Sequence, residues 1–281
     1  MTKGLEDYTF NESEMRILKA LAKGSHSLSE IINALSIEPS LMSYNLKKLL
    51  QKGIIETIRK GSRKHVYFGD SKHALLLREL LSTYDHLDWE NILTGLAIDI
   101  LFQITSQSDM YLRNFSRVTF WRHVRNLRAH GIVNRDDEGY AINPRFLGLK
   151  EFIVEYQLFL ISTMVKSISE DALILWQKDL ECLFRVQKNA PVPQNHIFKT
   201  ATSALYNLGI PLLSEYEVYF FSRNKENICV EDVILHTLLL GTNDVRNVLY
   251  SLLLMRKEWK KIDKNYLLME SQKFDLSLQI N

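Results

Sequence analysis

The chain comes close to repeating itself. Glycines eight residues apart occur at Gly53/Gly61 and again, 78 residues later, at Gly131/Gly139. At the same offset Met42, Leu46 and Leu49 fall on Phe120, Val124 and Leu127, and Ile54 and Ile55 fall on Ile132 and Val133. Tyr44 and Lys47 fall on Arg122 and Arg125. Apolar meets apolar at helical spacing, and polar meets polar. Two copies of one unit are the simplest reading.

The unit can be read physically. Residues 12–23 carry Met15, Ile17, Leu18 and Leu21 as a helical stripe, and Gly24 follows as a stop. Ser27, with Glu30 three residues on, has the pattern of a capping box. Leu28, Ile31, Ile32 and Leu35 then form the apolar face of a short second helix. Pro39 suits the first turn of a third helix, which runs to about residue 52 with Met42, Leu46, Leu49 and Leu50 inward. Gly53 ends it. Residues 54–59 and 65–68 read as strands, joined by the basic turn Lys60-Gly61-Ser62-Arg63-Lys64.

Three helices followed by a basic hairpin make a winged helix-turn-helix. The stretch SLSEIINALSIEPSLMSYNLKKLLQKGIIETIRKGSRKHVYF resembles the prokaryotic winged-helix transcription regulators, the MarR- and ArsR-like groups and their archaeal relatives. The resemblance covers most of residues 12–70. It implies DNA binding, with the third helix in the major groove and the wing beside it.

The second copy is residues 89–143. Residues 92–104 supply its first helix and 109–115 a short, degenerate second one. SRVTFWRHVRNLRAHGIV resembles the recognition helix and first strand of the same superfamily. The hairpin 132–143 turns at Asp136-Asp137-Glu138-Gly139, so its tip is acidic and is repelled by phosphate. Residues 71–84 read as a helix joining the units.

DNA affinity comes largely from cations near phosphates, and sequence is read by side chains that reach base edges. Between Met110 and Arg135 there are six arginines and no acid. With Phe120, Val124 and Leu127 inward, helix 116–130 is expected to offer Arg117, Thr119, Arg122 and Arg125 to DNA. Arginine's planar fork suits guanine O6 and N7 together. The matching face of helix 39–52 offers Ser40, Ser43, Tyr44 and Lys47. The first wing adds Arg59, Lys60, Arg63 and Lys64, suited to phosphate or the minor groove. Against this stands the ordinary reading, a charged and solvated helix face. For Trp121, interdomain packing and a wedge into DNA stay open.

Residues 150–281 are nearly neutral, with 15 basic and 16 acidic residues. A long helix is expected over 149–168, a hairpin over 172–176 and 180–186, and a helix over 200–208. A strand is expected over 217–222, and helices over 230–240, 244–258 and 264–274. TATSALYNLGIPLLSEYEVYFFS, VEDVILHTLLL, RNVLYSLLLMRK and YLLMESQKFDL, in that order, resemble the C-terminal domain of AbiEi-type antitoxins and regulators of viral-defence systems. That resemblance implies a domain that binds a partner protein or dimerises.

Other classes are disfavoured by what is missing. A Walker loop or a Rossmann turn needs glycines two to five apart, and no two glycines here lie closer than eight. HExxH and GxSxG are absent. Asp171, Asp179 and Glu181 lie around the hairpin, where carboxylates could hold Mg²⁺, but no Gly-Ser turn directly precedes them and no Glu-x-Lys lies nearby; solvated turn carboxylates are the simpler reading. Two cysteines cannot form a thiolate zinc cage, and Cys182 and Cys229 read as small buried residues. No two histidines stand three or four residues apart, and His236 reads as a hydrogen-bonded core histidine. No uncharged apolar run reaches the roughly 20 residues of a membrane span, and the acidic start does not look like a signal peptide, so a cytoplasmic protein is expected.

The sequence thus predicts an α+β chain of three domains: 1–84 and 85–149, each a winged helix, and 150–281, an effector or dimerisation domain. It predicts a sequence-specific regulator of double-stranded DNA, not an enzyme, with no cofactor, no metal and no membrane. An antitoxin-like protein that sequesters a partner through 150–281 is the alternative. A homodimer through the run 152–165 is open, since that run equally suits core packing.

Overall fold

The computed structural model describes residues 8–24, 26–106, 116–135, 139–212, 214–241 and 244–276. The chain forms two compact units, one ending at Leu160 and one beginning at Ile161. The architecture is α+β, with helices carrying most of the order and, among the described residues, three small antiparallel sheets.

The first unit opens with α1 (Glu12–Ala22), α2 (Leu28–Leu35) and α3 (Pro39–Gln51), followed by the hairpin of β1 (Ile55–Lys60) and β2 (Arg63–Phe68). This is a winged helix-turn-helix. Its capping box sits at α1 and not at α2. The Asn11 side chain accepts from the Glu14 amide at 2.8 Å, and the Glu14 carboxylate accepts from the Asn11 amide at 2.9 Å. Ser27 precedes α2 without a side-chain cap; its hydroxyl lies 2.9 Å from that of Ser29. Both tetrapeptides fit the pattern, and only the first closes. Met15, Ile17, Leu18, Ile31, Met42, Leu46 and Leu49 build the core.

The Glu14 carboxylate is also the centre of a buried ion pair. Lys52, the residue that ends α3, donates to both of its oxygens at 2.8 Å. The Lys52 ammonium lies 5.1 Å from the centre of the Phe10 ring. Both side chains are almost completely enclosed. Such a pair adds little net stability over an apolar pair, yet loss of one partner strands the other charge.

Beyond α4 (Lys72–Thr83) come α5 (Trp89–Leu93), α6 (Leu96–Ser106), α7 (Arg117–Ala129), and a short hairpin of β3 (Val133–Arg135) and β4 (Tyr140–Ile142). The single helix expected over 92–104 is broken in two. Gly95 adopts φ +54°, and its amide donates to the Phe10 carbonyl at 3.0 Å, which takes it out of the helical ladder. The expected short helix 109–115 and the acidic tip 136–138 lie outside the described residues.

Backbone hydrogen bonds recur at the 78-residue spacing. Helix α3 spans 39–51 and α7 spans 117–129. At the end of α3 the amides of Gly53 and Ile54 donate to Leu50 and Leu49 at 3.0 and 3.1 Å; at the end of α7 those of Gly131 and Ile132 donate to Arg128 and Leu127 at 2.9 and 2.9 Å. This is the Schellman stop, which requires a left-handed residue. Gly53 and Gly131 supply it at φ +63° and +68°.

The helices of this unit share one core. Tyr156, on the part of α8 (Leu147–Ile168) that precedes Leu160, donates to the Tyr8 carbonyl at 2.7 Å. Its ring stacks on Phe10, Phe152 and His73 at centroid distances of 5.6, 5.5 and 5.6 Å. Tyr8 donates to Asp99 and stacks on Phe102. Lys19 of α1 pairs with Glu90 of α5 at 3.1 Å. Up to Leu160 the run 152–165 is spent mainly on core packing: Phe152, Ile153, Tyr156 and Leu160 are buried, while Val154 and Leu158 stay exposed; Ile161, Met164 and Val165, also buried, belong to the second unit.

In the second unit, β5 (Leu173–Lys178), β6 (Glu181–Gln187), β7 (Ile197–Lys199) and β8 (Tyr216–Phe221) form an antiparallel sheet in the order β5-β6-β8-β7. Helices α9 (Val230–Gly241), α10 (Val245–Glu258) and α11 (Lys264–Lys273) complete it. Two expectations change here. Residues 200–208 form no α-helix: a 3-10 turn at Ala201–Ser203 is followed by further turns, with Ala201 itself at φ +48°. The strand β7 was not foreseen, because three residues carry too little alternation to be read.

Candidate nucleic-acid interface

The apolar face of α3 is buried through Met42, Leu46 and Leu49, which turns Ser40, Ser43, Tyr44 and Lys47 outward. Ser43 donates to the Pro39 carbonyl at 2.9 Å, and Ser40 reaches Glu38 at 3.4 Å. Half of the Tyr44 surface is exposed, and the Lys48 ammonium lies 4.7 Å from its ring centre. Lys48 was not singled out from the sequence. Its place one turn after Tyr44 was the available signal.

The wing concentrates cations at its tip. The register sets Arg59 opposite Lys64 and Lys60 opposite Arg63. The chain reverses at Gly61, φ +64°. Like charges directly opposite on a hairpin repel each other, and this register concentrates positive charge at the tip. Lys60 is steadied by Tyr67, to whose hydroxyl it donates at 3.1 Å. Arg59, Lys60 and Arg63 are exposed and Lys64 is half-buried.

Helix α7 is built on the same plan with different surface chemistry. Ser116 caps it by accepting from the Thr119 amide at 3.1 Å, and the two hydroxyls lie 2.8 Å apart. Thr119 is therefore half-buried and engaged in the cap. Arg117, Arg122 and Arg125 are exposed, as is Arg128, which lies one turn beyond Arg125. Among the described residues none of these four arginines forms an ion pair. His123, between them, is held below the usual histidine range by burial and by the Arg122 charge. Trp121 packs edge-on against Tyr140 of β4 at 5.7 Å, which assigns it to its own hairpin.

The second unit encloses a polar network of another kind. Lys225 contacts Asp232, Tyr266 (2.7 Å) and Glu270 (3.3 Å). Lys273 pairs with Glu181 and Glu270, and Glu181 also accepts from Ser222. Lys225 and its neighbours hold the Asp232 carboxyl below the usual carboxylate range against the effect of burial. His236 lies at 2.8 Å from the Thr200 hydroxyl, and complete burial pushes its pKa down to about 3, so it is neutral. Glu181 is thus enclosed and paired. Asp179 sits at the β5–β6 turn at φ +54°, with burial pushing its pKa up to about 6. Cys182 is buried, but Cys229 is exposed just ahead of α9, contrary to the sequence reading. Among the described residues no group of three or more His, Cys, Asp and Glu could hold a metal ion. Among them, too, no helix is long and apolar enough to cross a membrane.

Residues 11–57 match the family model described as bacterial regulatory protein, arsR family. The match runs from the cap of α1 to the start of β1 and supports a DNA-binding transcription regulator. No curated protein and no solved structure matches the chain.

Proposed function

We propose that this chain is a transcription regulator that grips double-stranded DNA with two winged-helix units, α3 with the β1–β2 wing and α7 with the β3–β4 hairpin, and acts by binding without catalysis. The observation that carries the reading is the pair of outward cationic surfaces: the crowded wing tip of Arg59, Lys60, Arg63 and Lys64, and the arginine face of α7. Support for a second unit comes from the helix bounds and Schellman bonds that recur 78 residues apart. In this reading Ser40, Ser43, Tyr44 and Lys47 meet one stretch of groove and Arg117, Arg122 and Arg125 another. Thr119 serves the cap of α7.

A salt titration with duplex selected from a random pool tests it. Affinity is expected to fall steeply with salt, with a log–log slope of about −0.9 for each phosphate neutralised. Absence of duplex binding at low salt overturns the proposal.

A second reading, partner binding by the C-terminal unit in the manner of an antitoxin, is favoured by α10. Val245, Leu249, Leu252 and Leu253 are all more than half exposed along it, and apolar stripes of that kind mark interaction surfaces. Co-purification from the native host tests this: a stable partner that Leu249→Lys with Leu252→Lys releases is expected. Recovery of the chain alone would leave the regulator as the whole function.

A further inference from the structure

Val118 has 79% of its surface exposed and stands in the first turn of α7. Single exposed apolar residues are common on proteins, so exposure alone assigns nothing. The position does. Val118, Arg122 and Arg125 follow each other at the i, i+4, i+7 spacing that puts side chains on one helical face. The neighbouring aromatic residue, Trp121, flanks this face and packs edge-on against Tyr140. Valine is also a poorer helix former than the straight-chain residues, and its branched side chain holds one preferred rotamer on a helix. A solvated helix face gains nothing from it. A rigid methyl pair between arginines fits a surface that meets both an anion and an apolar group.

In the major groove the apolar group is the 5-methyl of thymine, and the initial residues of a recognition helix are those that approach base edges. We propose that Val118 is a specificity-determining residue that reads a thymine methyl beside the guanine read by Arg122. Four residues of helix advance roughly 6 Å, and successive bases rise about 3.4 Å. The thymine therefore lies one or two base pairs from the guanine. The inference rests on the proposed docking of α7 in DNA, and its test separates the two.

The test uses the full chain and the tightest duplex selected from a random pool. Each thymine is replaced in turn by deoxyuridine, which removes the methyl and keeps every hydrogen-bonding group. Each guanine is replaced in turn by 7-deazaguanine. Binding is followed by fluorescence anisotropy at fixed salt. For the wild-type chain, one deoxyuridine position is expected to weaken binding about fourfold, the factor carried by burial of one methyl group. That position is expected one or two steps from the guanine whose deaza substitution loses its effect in Arg122→Ala. Val118→Ala, which withdraws both γ-methyls, is expected to narrow the difference between the thymine and deoxyuridine duplexes, and Val118→Thr, which keeps one γ-methyl, to restore part of it. Full discrimination at every thymine by Val118→Ala, with guanine discrimination still lost in Arg122→Ala, overturns the inference and leaves α7 in the groove. An Arg122→Ala chain that binds every duplex like wild type overturns both.

Discussion

Regions 12–68 and 89–142 each hold a helix with a glycine stop and a hairpin after it, and they differ at matching positions. Where the first region buries the charges of Glu14 and Lys52, the positions 78 residues on are Ile92, fully buried, and His130, whose ring bonds to the Asn126 carbonyl at 2.9 Å. Where the first has a hairpin of six-residue strands, the second has strands of three. Where the α3 face is hydroxyls and lysines, the α7 face is arginines. What is common to the two is the glycine stop and the apolar spacing. Those fix the direction of the helix, and the surface is free to be rewritten on top of it.

The largest expected effect sharpens the contrast in the cores. Lys52→Met leaves a carboxylate enclosed without its ammonium and is expected to destabilise the first unit by about 3–5 kcal/mol, read by urea unfolding. The double change Glu14→Ile with Lys52→Leu, which puts an apolar pair in place of the ion pair, is expected to recover most of this, less about 1 kcal/mol for the capping box at Asn11. If the double variant is as unstable as the single one, the ion pair is not interchangeable with an apolar pair and the comparison fails at its centre.

The two stop glycines come next. An alanine at either position meets the left-handed backbone, at a cost of roughly 1–2 kcal/mol. At Gly53 the added carbon would also lie 2.4 Å from the Phe159 ring, whereas at Gly131 it meets open space. Thermal denaturation should therefore rank Gly53→Ala below Gly131→Ala, by about 1–3 kcal/mol of overpacking. Equal losses would mean that Phe159 swings aside freely.

The remaining contrast lies on the surface. Arg122→Ala is expected to lose about 1–3 kcal/mol of discrimination at one base pair. Lys60→Ala or Arg63→Ala is expected to weaken all duplexes alike and to flatten the salt slope by about 1 each. Competition binding against mismatched duplexes distinguishes these outcomes. The reverse pattern would place the reading of bases in the wing and the phosphate grip in α7.

Much of this was legible beforehand. The helices α3 and α7 could be read because apolar residues at 3.6-residue spacing ended on a glycine. The exposure of the arginines followed from which side Phe120, Val124 and Leu127 had to face. The break between α5 and α6 was not legible, since a glycine inside an apolar run reads as a tolerated helix residue, and what takes it out of the ladder is the carbonyl of Phe10, far away in the chain. The pair Glu14–Lys52 was hidden for the same reason: two charged residues 38 positions apart carry no local pattern. Residues 200–208 misled because their apolar spacing is helical, while packing against β8 holds Ala201 left-handed. The outward placement of those side chains was easier to foresee than the core contacts, because outward residues are defined by what they do not touch.

The shared aromatic core of Tyr8, Phe10, Phe102 and Tyr156 has a consequence for the proposed DNA complex. In that proposal it holds α3 and α7 as the fixed jaws of a caliper. One base pair inserted between two half-sites moves the second by about 3.4 Å and swings it by roughly 34° around the duplex. A hinged protein would absorb that change. A caliper has to bend or unwind the DNA to follow it, so an operator gripped by both jaws is defined by the length of its spacer as much as by its letters.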